Sequence, residues 1–283
     1  MTKERIGVVG AGLMGAEIAL VYALAGHDVL LSDTADDVLA AALRRLAGIA
    51  EKGVARGFYT AEETAPALAR IAVTTDLARF ADRDMVTEAV FENEAVKAAI
   101  WRRLDAVCRA DCLFASNTSS IAISTLASYV GAAGRARFLG THYFSPVSRM
   151  KLVEIIPGFA TSAATVETAM RLCRGAGKTP IRVKDVVGFA VNRVLHAFII
   201  EAIKLVEEGV ASPEDIDTAC RLGLGHPMGP FELMDATTTS LSLQVQEILF
   251  DAYGERFRPP ALLKQKVKAG YLGRKAGKGW RVG

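Results

Sequence analysis

The chain has 283 residues, of which 51% are hydrophobic and 23% are charged, a composition typical of globular proteins rather than of disordered chains. Its 34 basic and 31 acidic residues nearly balance, so the net charge gives no support for a nucleic-acid-binding protein. Uncharged apolar runs stay shorter than the roughly 18 residues that a membrane-spanning helix needs, and we expect no membrane span.

The N-terminus passes from a short polar lead directly into an apolar run, without the longer apolar stretch of a signal peptide. The four cysteines, Cys108, Cys112, Cys173 and Cys220, have neither CxxC spacing nor the Cys/His spacing of a metal site. These features predict a cytoplasmic protein with reduced structural thiols and no bound metal.

Short β-rich runs alternate with helical patterns in the first part of the chain. The runs are RIGVVG, HDVLLSD, RIAVTTD, DMVTEAV, CLFASN, RFLGTHYF, KLVEII and TPIRVKD. Helical patterns cover residues 13–25, residues 36 to about 51, ENEAVKAAIWRRLDAVC and SAATVETAMRLCRGAG. This alternation predicts βαβ units around a mainly parallel sheet, in a domain that spans residues 1–185.

The pattern becomes helical after Asp185. The stretch VGFAVNRVLHAFIIEAIKLVEEG is apolar on most faces, which calls for several packing neighbours and is compatible with a second subunit. A new helix is predicted at Ser212, a capping residue that is followed by Pro213 and two acids. We therefore predict an all-helical domain over residues 186–283, with breaks at GHPMGPF and ERFRPP.

A glycine-rich turn lies between the first strand and the first helix. Gly10, Gly12 and Gly15 form a GxGxxG motif, in which the glycines permit a tight turn, a close approach of the backbone to a pyrophosphate, and close helix packing. Asp33 ends the second strand and would accept hydrogen bonds from the adenosine ribose. The motif predicts NAD rather than NADP; the alternative is an aspartate that only caps the next segment.

Polar residues follow three later strands, at the edge where a nicotinamide would lie. CLFAS is followed by Asn117, Thr118, Ser119 and Ser120; RFLGTHYF carries His142, and KLVEII carries Glu154. Imidazole has an unperturbed pKa near neutrality, which suits a base for a hydroxyl proton, and a carboxylate on its other nitrogen would stabilise the cation. The alternative is a buried polar contact inside the sheet, and the spacing alone does not decide between the two.

The order of short motifs resembles the 3-hydroxyacyl-CoA dehydrogenase family, especially its single-function 3-hydroxybutyryl-CoA members. The matching segments are IGVVGAGLMG, TTDL, TEAVFEN, FASNTSSI, THYFSPV, MKLVEII, GFAVNR, EDID, HPMGPFELMD and GRKAGKG. The resemblance implies a Rossmann-type NAD domain, followed by an all-α domain through which two copies form a homodimer. It also implies reversible oxidation of a 3-hydroxyacyl thioester to the 3-oxoacyl thioester.

Site residues are carried over from the family by motif. The resemblance implies that His142 is the base, that Glu154 stabilises its cation, and that Ser119 and Asn192 hold the substrate. The implied contacts to NAD are Gly10, Gly12, Leu13, Met14, Gly15, Asp33, Glu92, Lys97, Asn117, Ser119, Ser145 and Lys275. Lys52, beside Arg56 in the segment EKGVARG, is a candidate contact for the phosphorylated carrier arm of the thioester.

The chain departs from the family pattern near the chemistry. Ser145 stands where the family usually has an asparagine, DVVGF replaces DxPGF, and the polar run Thr237–Ser240 replaces a glycine and an acid. These changes leave open a polar 3-hydroxyacyl group on an acyl carrier protein, rather than on coenzyme A. A third alternative is a non-catalytic, crystallin-like NAD-binding protein, although the retained Ser119, His142, Glu154 and Asn192 argue against it.

Overall fold

The computed structural model describes residues 3–281 of a chain that divides into two compact units, residues 1–186 and 187–283. The strands of the first unit are β1 (Arg5–Val9), β2 (Asp28–Ser32), β3 (Ile71–Thr74), β4 (Met85–Glu88), β5 (Leu113–Ser116), β6 (Phe138–Tyr143), β7 (Leu152–Pro157) and β8 (Thr179–Arg182). They form one sheet in the order β3-β2-β1-β4-β5-β6-β7-β8. All neighbours pair in parallel except β6 and β7, which are antiparallel.

The helices of the first unit are α1 (Leu13–Leu24), α2 (Asp36–Ala55), α3 (Ala61–Ala69), α4 (Glu94–Val107), α5 (Ile123–Ala127), α6 (Ala132–Arg135) and α7 (Ala163–Gly175). Helix α1 belongs to the core because its sequence is apolar almost throughout, and residues 15–23 are all buried. Helix α3 begins with a capping box, in which Thr60 and Glu63 each accept a backbone N–H from the other.

The sheet has a topological switch point between β1 and β4, because the strand order runs one way from β1 to β3 and the other way from β4 to β6. In open α/β sheets, ligands bind outside the carboxyl ends of the strands at such a point. The strand order β3-β2-β1-β4-β5-β6 is that of a dinucleotide-binding Rossmann fold. Strand β7 runs antiparallel to β6 and therefore begins beside the carboxyl end of β6.

The second unit contains α8 (Val191–Glu207), α9 (Pro213–Gly223), α10 (Pro230–Thr237), α11 (Thr239–Tyr253) and α12 (Ala261–Lys268). Its core packs α8 through Ile199 and Ile203 against α9 and α10. Asp217 of α9 caps α10, since its two carboxylate oxygens accept the backbone N–H groups of Phe231 and Glu232 at 2.9 and 3.0 Å.

The predicted fold class is confirmed, and each of the eight strand predictions falls on an observed strand. The capping role of Ser212 is also confirmed, because its side chain accepts the N–H of Asp215 at 3.1 Å. The helix predictions were incomplete: α2 continues to Ala55 instead of ending near residue 51, and α3, α5 and α6 were not predicted. Within residues 3–281, no helix combines the length and the apolar character needed to cross a bilayer.

Candidate active site

The turn between β1 and α1 is built from the predicted glycines. Gly10 has a φ of +102°, and a Cβ on it would lie 2.6 Å from the Ala89 carbonyl oxygen. A Cβ on Gly15 would lie 1.8 Å from the Gly10 carbonyl oxygen, so only glycine allows this helix to pack against the turn. Helix α1 starts at Leu13 and Met14 without a side-chain cap, which leaves N–H donors of its first turn for an anion. The turn therefore fits a pyrophosphate.

Asp33 lies beside this turn, directly after β2. Its Oδ2 accepts the N–H of Ala11 at 2.7 Å and its Oδ1 accepts the N–H of Thr34 at 2.7 Å. Arg45 of α2 contacts the same turn, where its Nη2 donates to the carbonyl oxygens of Ala11 and Gly12 at 2.8 and 3.0 Å. Arg45 carries no motif signal in the sequence, since 34 residues separate it from Ala11. The carboxylate is thus placed where the adenosine ribose of a dinucleotide would lie.

His142 and Glu154 face each other across β6 and β7, where they are register partners. The His142 Nδ1 lies 2.7 Å from the Glu154 Oε2, and the two residues are only 5% and 0% exposed. A buried carboxylate at Nδ1 keeps the proton on that nitrogen and leaves Nε2 as the acceptor. The Ser119 hydroxyl lies 3.0 Å from Nε2. The three side chains therefore form one hydrogen-bonded row that ends in an oxygen-binding hydroxyl.

The turn that carries Ser119 is organised by Glu92. One carboxylate oxygen, Oε1, accepts the backbone N–H groups of Ser119 and Ser120 at 2.8 and 2.9 Å and the hydroxyls of Thr118 and Ser120 at 2.5 and 2.9 Å. Burial raises the pKa of Glu92, but the ammonium of Lys97 and hydrogen bonds from Thr118 and Ser120 outweigh it, so that the net pKa is lowered. Glu92 therefore stays ionised and holds the turn.

A buried ion pair lies behind this turn. Lys97 of α4 is 1% exposed, and its Nζ lies 2.6 Å from the Oε1 of Glu88 and 3.3 Å from the Oε2 of Glu92. Glu88, the last residue of β4, also accepts the hydroxyl of Ser116 at 2.7 Å and the N–H of Val90 at 2.8 Å. Lys97 is thus not on a solvated helix face. Glu88 was not among the predicted site residues, although it lies in the matching segment TEAVFEN.

Side chains join four neighbouring strand ends at this edge of the sheet. Glu88 binds Ser116 between β4 and β5, and the Asn117 Oδ1 accepts the N–H of Tyr143 at 2.9 Å between β5 and β6. The His142–Glu154 contact continues the series between β6 and β7. The structure therefore brings Asn117, Ser119, His142 and Glu154 together, with Glu92 and Lys97 next to them.

The other predicted site residues lie on different elements of the chain. Ser145 is exposed in the connection between β6 and β7, and Lys52 is exposed on α2. Asn192 lies in the first turn of α8 and Lys275 in a short 3-10 helix, both in the second unit, and Asn192 is not the capping residue of α8. Over residues 3–281, His, Cys, Asp and Glu side chains do not form a group of three or more that could hold a metal ion.

Comparison with known proteins decides the family. Residues 5–186 match the model described as the NAD-binding domain of 3-hydroxyacyl-CoA dehydrogenase, and residues 188–282 match the model of its C-terminal domain. The chain belongs to the 3-hydroxyacyl-CoA dehydrogenase family. The predictions of this family, of an oxidoreductase and of NAD as the cofactor are thereby confirmed.

Relatives match this family member over nearly its full length. A probable 3-hydroxybutyryl-CoA dehydrogenase of Deinococcus radiodurans is 42% identical, and the match covers 98% of this chain and 99% of the relative. A second, of Bacillus subtilis, is 40% identical, with 99% and 97% covered. The solved structure of (S)-3-hydroxybutyryl-CoA dehydrogenase PaaH1 from Ralstonia eutropha superposes with a TM-score of 0.94 at 39% identity, and covers 99% of each chain.

Proposed function

We propose that this protein catalyses the reversible, NAD-dependent oxidation of a 3-hydroxyacyl-CoA thioester, such as 3-hydroxybutyryl-CoA, to the 3-oxoacyl-CoA thioester. The observation that carries the proposal is the hydrogen-bonded row Ser119–His142–Glu154 at the carboxyl edge of an NAD-binding sheet. A base for the hydroxyl proton, a carboxylate that stabilises its cation and a hydroxyl that binds the substrate oxygen suit alcohol oxidation with NAD as the hydride acceptor.

His142 takes the hydroxyl proton at Nε2, because Nδ1 is already occupied by the contact to Glu154. Glu154 then stabilises the imidazolium at a distance of 2.7 Å, inside the sheet where water does not screen the charge. Ser119 holds the substrate oxygen near the His142 Nε2, the atom that the Ser119 hydroxyl itself contacts at 3.0 Å. NAD supplies the hydride acceptor when it is bound.

The other site residues divide between cofactor and substrate. We assign NAD to the glycine turn with Leu13 and Met14, to Asp33, and to the group Glu92, Lys97, Asn117, Ser119, Ser145 and Lys275. We assign the substrate to Ser119, Asn192 and Lys52. The support is strongest for Asp33 and the glycines, since their hydrogen bonds and close approaches are those of a dinucleotide turn.

A substrate comparison tests the proposal. The protein is incubated with NADH and acetoacetyl-CoA, and in parallel with acetoacetyl groups on an acyl carrier protein, and the loss of NADH absorbance is followed. The relatives' names specify coenzyme A, which favours turnover of acetoacetyl-CoA over the carrier-bound form. Turnover of the carrier-bound form alone would overturn the proposed substrate.

The His142→Ala variant separates catalysis from cofactor binding. We expect it to lose turnover while it still binds NADH, because the imidazole contacts Ser119 and Glu154, whereas the glycine turn lies between β1 and α1. A wild-type protein that binds NADH and turns over neither thioester would instead support the crystallin-like alternative.

We propose that the protein forms a homodimer through the helical unit. Large apolar side chains of this unit are exposed: Val194 at 72%, Leu222 at 83% and Leu224 at 63%. Light scattering at several concentrations should give twice the chain mass, and a monomer at all concentrations would refute the dimer. A cytoplasmic location is supported by four free cysteines, and cell fractionation would test it.

A further inference from the structure

The carboxylate of Glu88 is completely buried and fully engaged. It is 0% exposed, and its oxygens accept from three donors on three different segments: Lys97 on α4, Val90 after β4, and Ser116 at the end of β5. A group with so many fixed partners has a single arrangement, so it fixes the positions of the segments that it joins.

One side of this arrangement leads to the glycine turn. Val90, held by Glu88 at 2.8 Å, directly follows Ala89, whose carbonyl oxygen would lie only 2.6 Å from a Cβ on Gly10. The N–H of Ala89 in turn donates to the Val9 carbonyl at 2.8 Å. The segment after β4 thus packs against the dinucleotide turn, and its hydrogen bond to Glu88 fixes its position.

The other side leads to the catalytic serine. Ser116, bound to Glu88, precedes the turn that carries Ser119, and its hydroxyl also accepts the N–H of Thr118 at 3.3 Å. Lys97, neutralised by Glu88, faces the Oε2 of Glu92, whose other oxygen holds that same turn through four hydrogen bonds. Both routes end at the hydroxyl that lies 3.0 Å from the His142 Nε2.

We propose that Glu88 and Lys97 form a positioning pair, which holds the dinucleotide turn and the Ser119 turn in one fixed relation, so that the bound cofactor and the base act on the same carbon. The proposal rests on the proposed dehydrogenase function and adds a positioning role to it. Stability alone does not explain such a pair, because a buried ion pair of this kind is often replaceable by apolar side chains without loss of stability.

The test separates folding from positioning with a double variant. Glu88→Gln leaves the ammonium of Lys97 with only the partly exposed Glu92 as a counter-charge, and Lys97→Met leaves the Glu88 and Glu92 carboxylates without this cation, so each single variant should melt at a lower temperature. In Glu88→Gln/Lys97→Met no charge of the pair remains, and the Glu92 carboxylate, whose side chain is 33% exposed, is left to solvent and its four hydrogen bonds, so most of the thermal stability should return. Arg103→Met is the matched control, because Arg103 is an exposed cation on the same helix.

We expect the double variant to melt within a few degrees of wild type but to keep a kcat about 30-fold lower at saturating NADH, since a misplacement near 1 Å costs roughly 100-fold in rate. NADH is kept saturating because the loss of a direct contact between Lys97 and NAD would lower the NADH affinity but would not change kcat under these conditions. Recovery of kcat to within about threefold, together with the melting temperature, would show a purely structural pair and overturn the proposal.

Ser116→Ala tests Glu88 without disturbing the ion pair, and it serves if the charged variants do not fold. It removes the hydroxyl that links Glu88 to β5, so kcat should fall about tenfold. An unchanged kcat would refute the link. If wild type turns over no thioester, the proposed function fails, but the pair is still tested, since Glu88→Gln should weaken NADH binding about tenfold through Val90 and the glycine turn. Unchanged NADH binding would refute that part.

Discussion

Replacement of Glu154 by glutamine removes one negative charge from the site and keeps the size of the side chain. In the wild type the carboxylate lies 2.7 Å from the His142 Nδ1 and is 0% exposed. In the proposed mechanism this negative charge stabilises the imidazolium that forms during alcohol oxidation. The amide can still accept the Nδ1 proton, so the ring keeps its orientation while the cation loses its counter-charge.

The expected decrease in the kcat of Glu154→Gln is estimated from two limits on the lost interaction energy. Two unit charges about 4 Å apart attract each other by ~4 kcal/mol at an effective dielectric constant near 20. The difference between a charge-assisted and a neutral hydrogen bond gives a lower limit of ~1 kcal/mol. A value between them, ~2.7 kcal/mol, corresponds to a kcat about 100-fold lower, because each ~1.4 kcal/mol is a factor of ten.

The assay is steady-state reduction of acetoacetyl-CoA at saturating NADH, with the NADH affinity measured separately by fluorescence. The affinity should stay within about twofold of wild type, since Glu154 lies on β7 and the glycine turn lies between β1 and α1. Glu167→Gln, the same exchange at an exposed position of α7, is the control and should leave kcat unchanged. A Glu154→Gln variant with kcat within about threefold of wild type would refute the role of this carboxylate.

Three other variants test the cofactor site and the helical unit. Gly15→Ala places a Cβ 1.8 Å from the Gly10 carbonyl oxygen and should weaken NADH binding at least about tenfold. The control Gly48→Ala, whose new Cβ would have no atom within 4 Å, should bind NADH normally. Equal NADH affinities of the two variants in titrations would contradict the packing role of Gly15. Asp33→Asn should raise the affinity for NADPH relative to NADH about tenfold, because the carboxylate repels the 2′-phosphate of NADPH and the neutral amide does not. An unchanged ratio in competition titrations would reject the placement of Asp33 beside the adenosine ribose. Burial lowers the pKa of His196 to about 4, below the ordinary 6.5 of the unfolded chain. Between these values the unfolded state binds more protons, so His196 makes the stability rise with pH by ~2 kcal/mol from pH 5 to pH 7. His196→Leu should lack this rise in urea unfolding, and an identical pH dependence would show that the histidine is not the cause.

The sequence was most informative where the determinants are local. The glycine turn requires glycines at fixed spacing, and Ser212 followed by Pro213 is a complete helix start, so both could be located without the fold. The two strands that carry His142 and Glu154 were also predictable, but their spacing did not show that the two side chains face each other. That fact depends on the antiparallel register, which pairs these two residues directly.

The residues that were missed act through distant parts of the chain. Arg45 reaches Ala11 over 34 positions, and Glu88 reaches Ser116 over 28, so no local pattern marks either of them. Lys97 was named only through the family resemblance, and its local sequence did not show that the fold places it beside two carboxylates. Helix α3 is a different case, because the capping box of Thr60 and Glu63 is visible in the sequence and was passed over.

The reversal of β7 has a consequence for how such enzymes diversify. The backbone ladder from Leu139 to Tyr143, paired with residues 153–157, fixes the imidazole opposite its carboxylate whatever chain joins the two strands. Mutations, insertions or exchanges in the connecting residues 144–151 can therefore change the surface beside these strands while the contact between His142 and Glu154 is inherited intact.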